Sequence, residues 1–183
     1  MLTKIGDEFV EAVAIVSGGA SDEMGVPWHS FLTVAGNGTG AYNHNGDYST
    51  TAAEVFYQAP AKYVIHTVFA TIADASAMNQ VDYGAIAGGL TNGVTLWIMK
   101  QGVEIPLLGG LVIKNNQQWL NVTPDALLTN FPGVPQSFIP VFRLTEGYGS
   151  PLVLNPGERF IVKLHDDFTG LVDHTFTLRG TLY

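Results

Sequence analysis

Nearly every apolar run in this chain has the length of a β-strand and ends at residues that favour a turn. Residues 28–34, 94–100 and 138–144 are clear examples, and Gly, Pro and Asn separate such runs along most of the chain. Long helical segments do not alternate with them, which argues against a parallel α/β sheet. About eight to ten short strands therefore predict an all-β, antiparallel β-sandwich, and at this length a jelly roll is the favoured topology.

The middle of the chain is predicted to contain one more strand, one short helix and a long connection. L-V-I-K, residues 111–114, has strand composition. T-P-D-A-L-L, residues 123–128, is typical of a brief helix with Thr123 as N-cap and Pro124 in its first turn. The surrounding residues 115–136 are predicted to cross between sheets, as Greek-key topologies require.

The N-terminal segment allows two interpretations. Residues 8–16 could form a helix capped by Asp7, or a strand, and the β-branched residues toward their end favour the strand. Residues 1–20 are thus either the first strand or an N-terminal arm. Because no repeat and no linker divides the sequence, residues 1–183 are predicted to form a single sandwich domain.

Some strands are apolar on both faces, which indicates that something covers the outer face as well. Leu96 and Ile98 alternate with Trp97 and Met99, and residues 63–72 show the same property. Charged residues make up only 13 % of the chain, about half of the roughly 25 % that is usual. We therefore expect subunit contacts to cover these faces.

The densest group of ionisable residues lies near the C-terminus, in R-F-I-V-K-L-H-D-D-F-T-G-L-V-D-H-T-F-T-L-R. Alternation assigns Phe160, Val162 and Leu164 to one face of a strand, and the Asp- and Gly-rich middle has turn composition. We therefore predict a β-hairpin. His165 and His174 would lie at its strand ends on opposite faces, so a shared metal is not expected.

The remaining histidines and polar motifs do not form a catalytic or metal-binding pattern. His29, His44 and His66 lie on separate elements, no H-x-H of the cupin kind occurs, and His66 is expected in the core. Residues 43–47, N-H-N-G-D, are similar to a calcium loop but have Asn43 and Asn45 where that loop has acidic residues, and the bidentate Glu is missing. The surroundings of Ser150 do not match a nucleophile elbow. No catalytic, cofactor-binding or metal-binding residue is assigned, and no cofactor is predicted.

The tryptophans are the remaining candidates for ligand binding. Trp97 lies in a strand with buried composition, whereas Trp28 and Trp119 flank loops and could stack on sugar rings if both are exposed. Filling of the core or of an interface is the simpler interpretation of all three residues.

Charge and cysteine content exclude several classes of partner. The net charge is −8, and the eight Lys and Arg residues are scattered, so neither nucleic acid nor an anionic membrane is an expected partner. Without cysteine there is no disulfide, thiol nucleophile or Cys-based zinc site. The first residues do not have the pattern of a signal peptide, and no apolar run is long enough to span a membrane.

Three segments together carry a resemblance to a known group of proteins. They are L-T-N-G-V-T-L-W-I-M (residues 90–99), L-V-I-K-N-N-Q-Q-W (residues 111–119) and the closing residues 156–180, with their D-D-F-T-G-L turn. The pattern resembles small β-sandwich virion proteins of tailed bacteriophages, and it covers about half of the chain.

The resemblance implies a non-enzymatic structural role in a virion, and a capsid decoration (cement) protein is the first hypothesis. Such a protein would be made in the host cytoplasm, would self-associate, preferentially as a trimer, and would bind the major capsid protein or another virion protein. The alternative is a tail- or fibre-associated protein, or a module that binds a glycan or receptor.

Overall fold

The computed structural model describes residues 2–5, 8–11, 25–34, 52–74, 78–84, 86–123, 125–129, 136–145, 149–168, 171 and 173–183. Within these ranges the chain forms twelve β-strands, one α-helix (α1, Asn116–Val122) and one 3₁₀ turn (Leu108–Gly110). The strands are β1 Leu2–Ile5, β2 Glu8–Glu11, β3 Val26–Val34, β4 Ala53–Gln58, β5 Tyr63–Asp74, β6 Val94–Lys100, β7 Val103–Pro106, β8 Asp125–Thr129, β9 Gln136–Arg143, β10 Leu152–Leu154, β11 Arg159–Leu164 and β12 Asp173–Leu182.

The strands form two antiparallel sheets and a separate hairpin, which confirms the predicted all-β sandwich. One sheet has six strands in the order β3-β12-β5-β9-β8, with β10 paired to β5, and the other has four in the order β4-β11-β6-β7. If β1, β2, β8 and β10 are left out, the remaining eight strands can be numbered 1 to 8 along the chain. One sheet then has the strand order 1-8-3-6, and the other has the order 2-7-4-5. This is the strand order of a jelly roll, with two Greek keys.

The core lies between the two sheets, where alternate residues of each strand point inward. On β11, Phe160, Val162 and Leu164 are fully buried, as the alternation predicts, and Phe176 and Leu178 of β12 face them from the other sheet. Burying one such side chain contributes about 1.5–3 kcal/mol to folding. The inner faces therefore provide the main driving force for closing the two sheets over each other.

The predicted C-terminal hairpin is wrong, although both of its strands exist. β11 pairs with β4 and β6 in the four-stranded sheet, whereas β12 pairs with β3 and β5 in the six-stranded sheet. The connection between them crosses from one sheet to the other. In a jelly roll the last two strands belong to different sheets, and alternation within each strand carries no information about its partner.

A β-bulge in β5 reverses the direction of its side chains. Ile65 is buried and so is Val68, and strict alternation does not allow both to face the same side. The register shows why: Arg179 of β12 lies opposite Thr67, but the next residue of β12 lies opposite Ile65. His66 is therefore the extra residue of the bulge.

The bulge corrects the interpretation of His66 as a core residue. His66 is exposed, and its Nδ1 lies 3.1 Å from Oγ1 of Thr145. Gly180 lies opposite the bulge in β12, so close to β5 that a Cβ atom there would overlap the carbonyl oxygen of Val64. A residue without a side chain is therefore required at position 180.

The short helix lies before the predicted one. Asn115 is the N-cap of α1, and its side-chain oxygen accepts a hydrogen bond from the backbone N–H of Gln118. Thr123 ends α1, and its hydroxyl donates to the carbonyl oxygen of Trp119, whose side chain is fully buried. Residues 125–129 are strand β8, because pairing with β9 supplies hydrogen bonds that outweigh local helix signals.

The structure also tests the predictions for residues 111–114 and for the N-terminal segment. Of the predicted strand at residues 111–114, only Ile113 pairs, in an isolated bridge with Val94. At the N-terminus the strand interpretation is confirmed for Glu8–Glu11, which pairs with Leu2–Ile5.

Candidate interaction surface

The two histidines of the C-terminal group have different surroundings and do not form a shared site. His174 is fully buried among the rings of Tyr83, Phe168 and Phe176, and its Nε2 lies 3.1 Å from the hydroxyl oxygen of Tyr83. Burial raises the pKa of Tyr83 above its ordinary value, so its hydroxyl stays protonated. His165 is half-buried at the end of β11, where its backbone N–H donates to a carbonyl oxygen of the neighbouring loop.

Asp166 joins two connections that are distant in the sequence. Its carboxylate accepts hydrogen bonds from the backbone N–H groups of Thr91, Asn92 and Gly93, at 2.5 to 3.1 Å. The side chain of Asn92 returns a hydrogen bond to the carbonyl oxygen of His165. This carboxylate therefore holds the loop before β6 against the crossing between the two sheets, which is a structural task.

The other polar candidates do not converge either. His29 and His66 are exposed on different strands, and the hydroxyl of Ser150 is exposed and donates to the carbonyl oxygen of Pro151. His44 and residues 43–47 lie outside the described residues. Within the described part of the chain, no group of three or more His, Asp or Glu residues is arranged to hold a metal ion.

The tryptophans are distributed opposite to the expectation for a sugar-binding site. Trp28 and Trp119 are buried, at 6 % and 0 % exposure, so neither can stack on a ligand at the surface. Trp97, which was expected to fill the core or an interface, lies half-buried on the outer face of β6. The alternation of β6 contained this signal, because its inward positions were already filled by smaller apolar residues.

The outer face of the four-stranded sheet carries a continuous apolar row across all four strands. Register places Ile161 of β11 between Phe56 of β4 and Trp97 of β6, and Trp97 lies opposite Pro106 of β7. Phe56 is 39 % exposed, whereas Ile161 is covered by its neighbours. We refer to Phe56, Ile161, Trp97 and Pro106 as the apolar row. The sequence predicted an apolar outer face on β6 but not its continuation over the other three strands.

Charged side chains border the apolar row on both sides. Lys163 forms ion pairs with Glu54 and Glu104, at 2.9 and 2.6 Å, and its Nζ lies 4.8 Å from the centre of the Trp97 ring. Arg159 stacks over Phe56, with its Cζ 4.3 Å from the ring centre. These cations thus lie against the aromatic rings of the row itself.

The two glutamates fix the protonation state of Lys163. Partial burial by itself would lower the pKa of Lys163, but the hydrogen bonds and charges of Glu104 and Glu54 outweigh it, and the net pKa is raised. The positive charge beside the row therefore persists well into alkaline solution.

The outer face of the six-stranded sheet is more polar, but it contains the most exposed of the described phenylalanines. Phe31 on the edge strand β3 is 58 % exposed. Phe69 is half-buried in the same row of residues, and the guanidinium of Arg179 stacks over it at 4.5 Å. In the described part of the chain, no helix has both the length and the apolarity needed to span a membrane.

Comparison with known proteins gives little further information. No protein-family model matches this chain, and no curated protein matches it either. Among solved structures, it is similar to a chain in the structure of infectious bursal disease virus, strain Gx, with 12 % identity and a TM-score of 0.20. The match covers 100 % of this chain and 46 % of that chain, so this chain spans about half of that chain's length. Similarity at this level transfers neither fold nor function.

Proposed function

We propose that this protein is a non-enzymatic structural component of a bacteriophage virion, a decoration protein that binds the outer surface of the head. It would self-associate as a trimer and would contact the major capsid protein through the outer face of its four-stranded sheet. The assignment to a bacteriophage is supported by the resemblance of residues 90–99, 111–119 and 156–180 to small sandwich proteins of tailed phages.

The observation that carries this proposal is the apolar row with its charged border. Protein interfaces are typically apolar at the centre and polar at the rim, and they are enriched in aromatic residues, Met and Arg. The row has this arrangement: Ile161 and Trp97 lie at its centre with Phe56 at its β4 end, and Arg159, Glu54 and Glu104 lie along its edges. Its side chains also lie on regular strands, which hold them in a fixed geometry before any partner binds.

The row and its charged border contain the residue types that dominate binding energy. Tryptophan and arginine are the commonest hot spots of interfaces, and fully burying a side chain the size of Phe contributes about 1.5–3 kcal/mol. Phe56 is still 39 % exposed, so a partner would bury additional apolar surface there. The alternative of a glycan-binding module is less well supported, because Trp28 and Trp119 are buried.

Binding to particles that lack this protein tests the proposal. The wild-type protein should bind to such heads, and electron microscopy should show added density on their outer surface. Phe56→Lys should abolish binding, because it replaces the more exposed of the two aromatic rings of the row by a charge that binding would bury, while altering only a half-exposed side chain.

Val81→Lys is the matched control, because it introduces the same charge at an apolar residue that is 65 % exposed and lies outside the row. This variant should bind like the wild type. If the wild-type protein gives no density on the head, or if Phe56→Lys binds as well as the wild type, the proposed function is wrong.

A further inference from the structure

A line of basic side chains crosses the outer face of the six-stranded sheet. The register places His29 of β3 opposite Arg179 of β12, which lies opposite Thr67 of β5. Thr67 in turn lies opposite Arg143 of β9. The side chains of His29, Arg179 and Arg143 are exposed, and so is His66, the extra residue of the bulge beside Thr67. We refer to His29, Arg179, Thr67 and Arg143 as the basic row.

The basic row is local positive charge on an acidic protein. The chain has 16 Asp and Glu residues against eight Lys and Arg, yet the basic row contains no acidic residue. In the adjacent row, which contains Phe31, the acidic position is Asp125 of β8. That position is three strands from Arg179, a distance of roughly 14 Å. The positive charges are scattered in the sequence, and the pairing of the strands brings them together.

Arg179 is held in an orientation that suits a carboxylate ligand. Its guanidinium lies over the ring of Phe69, with Cζ 4.5 Å from the ring centre. Among the described residues no carboxylate forms an ion pair with Arg179, whereas Lys163 on the other sheet is paired with two glutamates. Stacking on the ring fixes the plane of the guanidinium, and the fork of N–H donors at its edge matches the two oxygens of a carboxylate. Binding would therefore cost little side-chain entropy.

The spacing of the basic row fits an extended peptide. Neighbouring strands lie about 4.8 Å apart, so β12 and β9, on either side of β5, are about 10 Å apart. In an extended peptide every second side chain points to the same side, at intervals of about 7 Å. Because arginine side chains are long, two such carboxylates could reach Arg179 and Arg143. Phe31 is 58 % exposed in the adjacent row and offers an apolar contact beside them.

Charge also distinguishes between possible occupants of this face. A second copy that used the same face would bring like charges together, which is unfavourable. A long polyanion such as nucleic acid would extend beyond the basic row and would be repelled by the net charge of −8. A short acidic segment of a protein places its charges at the basic row alone.

We propose that the outer face of the six-stranded sheet binds an extended acidic segment of a partner protein. One carboxylate of the segment pairs with Arg179, and an apolar side chain lies against Phe31. This site goes beyond the proposed function, because the apolar row lies on the other sheet. The outer faces of the two sheets point in opposite directions, so both partners can bind one molecule at the same time.

A pair of synthetic peptides tests the site in the full-length protein. In the first, Glu alternates with Ser around one Leu, and in the second Gln replaces every Glu. Fluorescence anisotropy should show binding of the Glu peptide that weakens with added salt, and no binding of the Gln peptide. In wild-type protein the amide NMR signals of residues 29–31 and 177–179 should shift on binding, whereas those of residues 54–56 should not.

Variants at one position separate charge from geometry. Arg179→Gln should weaken binding of the Glu peptide at least about tenfold, as expected for the loss of a charge-assisted hydrogen bond. Arg179→Lys keeps the charge but loses the planar fork, so its affinity should lie between those of Arg179→Gln and the wild type. Lys100→Gln is the matched control, because it removes one positive charge from the four-stranded sheet; it should bind like the wild type.

Several results would overturn the inference. They are no binding of the Glu peptide at about 1 mM, equal binding of the Gln peptide, or unchanged affinity in Arg179→Gln. Tighter binding of heparin or of a single-stranded oligonucleotide at the same residues would identify a polyanion as the occupant, and self-association that Arg179→Gln abolishes would identify a second copy. Head binding of Phe56→Lys tests the proposed function on the other sheet, so either idea can fail without the other.

Discussion

Replacing Asp166 by Ala tests whether one carboxylate holds the crossing between the two sheets in place. Its oxygens accept hydrogen bonds from three consecutive backbone N–H groups, those of Thr91, Asn92 and Gly93. Asp166→Ala leaves these donors without a partner in the protein. Because two connections are held together at this point, the change should loosen both the loop before β6 and the segment that follows β11.

The cost can be worked out from the number of bonds and their exposure. A hydrogen bond to a charged group contributes about 1.5–3 kcal/mol, so three would contribute roughly 5–9 kcal/mol if all were fully buried. Asp166 is half-buried, so water can reach the freed N–H groups and replace part of this loss. We therefore expect Asp166→Ala to lower the free energy of unfolding by about 2–3 kcal/mol. For a chain of this length, that corresponds to a melting temperature lower by roughly 5–10 °C.

Chemical denaturation and hydrogen exchange measure this effect at two levels. The denaturation midpoint gives the loss of stability, and the amide hydrogens of residues 91–93 should exchange faster in Asp166→Ala than in the wild type. Asp166→Asn keeps one acceptor oxygen but loses the charge, so it should lose about half as much stability. The reasoning is refuted if Asp166→Ala changes stability by less than about 0.5 kcal/mol, or if exchange at residues 91–93 is unaltered.

Three further variants test other parts of the structure. Gly180→Ala places a methyl group against the carbonyl oxygen of Val64 and should cost about 3 kcal/mol in denaturant unfolding, because β12 must shift on β5; a neutral result would contradict the close approach. Hydrogen bonds from the N–H of Gly88 and the amide of Asn79 lower the pKa of Asp82. The ionised Asp82 therefore stabilises the fold at neutral pH, and this contribution is lost as the pH falls below about 4, the ordinary pKa of an aspartate. Unfolding curves from about pH 5 to about pH 2 should therefore fall less steeply for Asp82→Asn than for the wild type, and equal slopes would exclude this role. Lys163→Met removes both ion pairs and should cost about 1 kcal/mol at low salt and less at high salt, and a cost that does not depend on salt would show that packing is responsible instead.

Sequence patterns predicted β11 well because the information needed is local. Phe160, Val162 and Leu164 alternate with polar residues or with Ile161, and the pleat of a strand converts that spacing directly into an inner and an outer face. The same rule placed Trp97 on the face opposite to Leu96. For these residues the two faces follow from neighbours in the chain, whatever strand pairs with them.

His66 shows where such local reasoning ends. The bulge that turns it outward depends on how β5 and β12 align over more than 100 intervening residues, and on the missing side chain at position 180. Nothing in the residues around His66 specifies that alignment. Thr123 is a second case. It was predicted to begin a helix but ends one, because Trp119 is buried in the preceding helix and the residues after Thr123 pair with β9.

The candidate surface likewise has one feature that local sequence patterns predicted and others that they did not. An apolar outer face could be expected from the sequence, because residues on both sides of β6 are apolar and charge is scarce. The apolar row and the ion pairs of Lys163 required knowledge of which strands are neighbours, and that order joins β4, β11, β6 and β7 from three distant parts of the chain.

The sequence by itself thus determined that the chain forms short antiparallel strands in a sandwich, and which side chains of most strands point inward, since these depend on a two-residue period. Only the tertiary structure decided that the last two strands belong to different sheets, that Trp28 and Trp119 are buried, and that the apolar row continues across four strands. The physical reason is that strand pairing and burial arise from contacts between residues far apart in the chain, to which a local pattern of side chains contributes no specific signal.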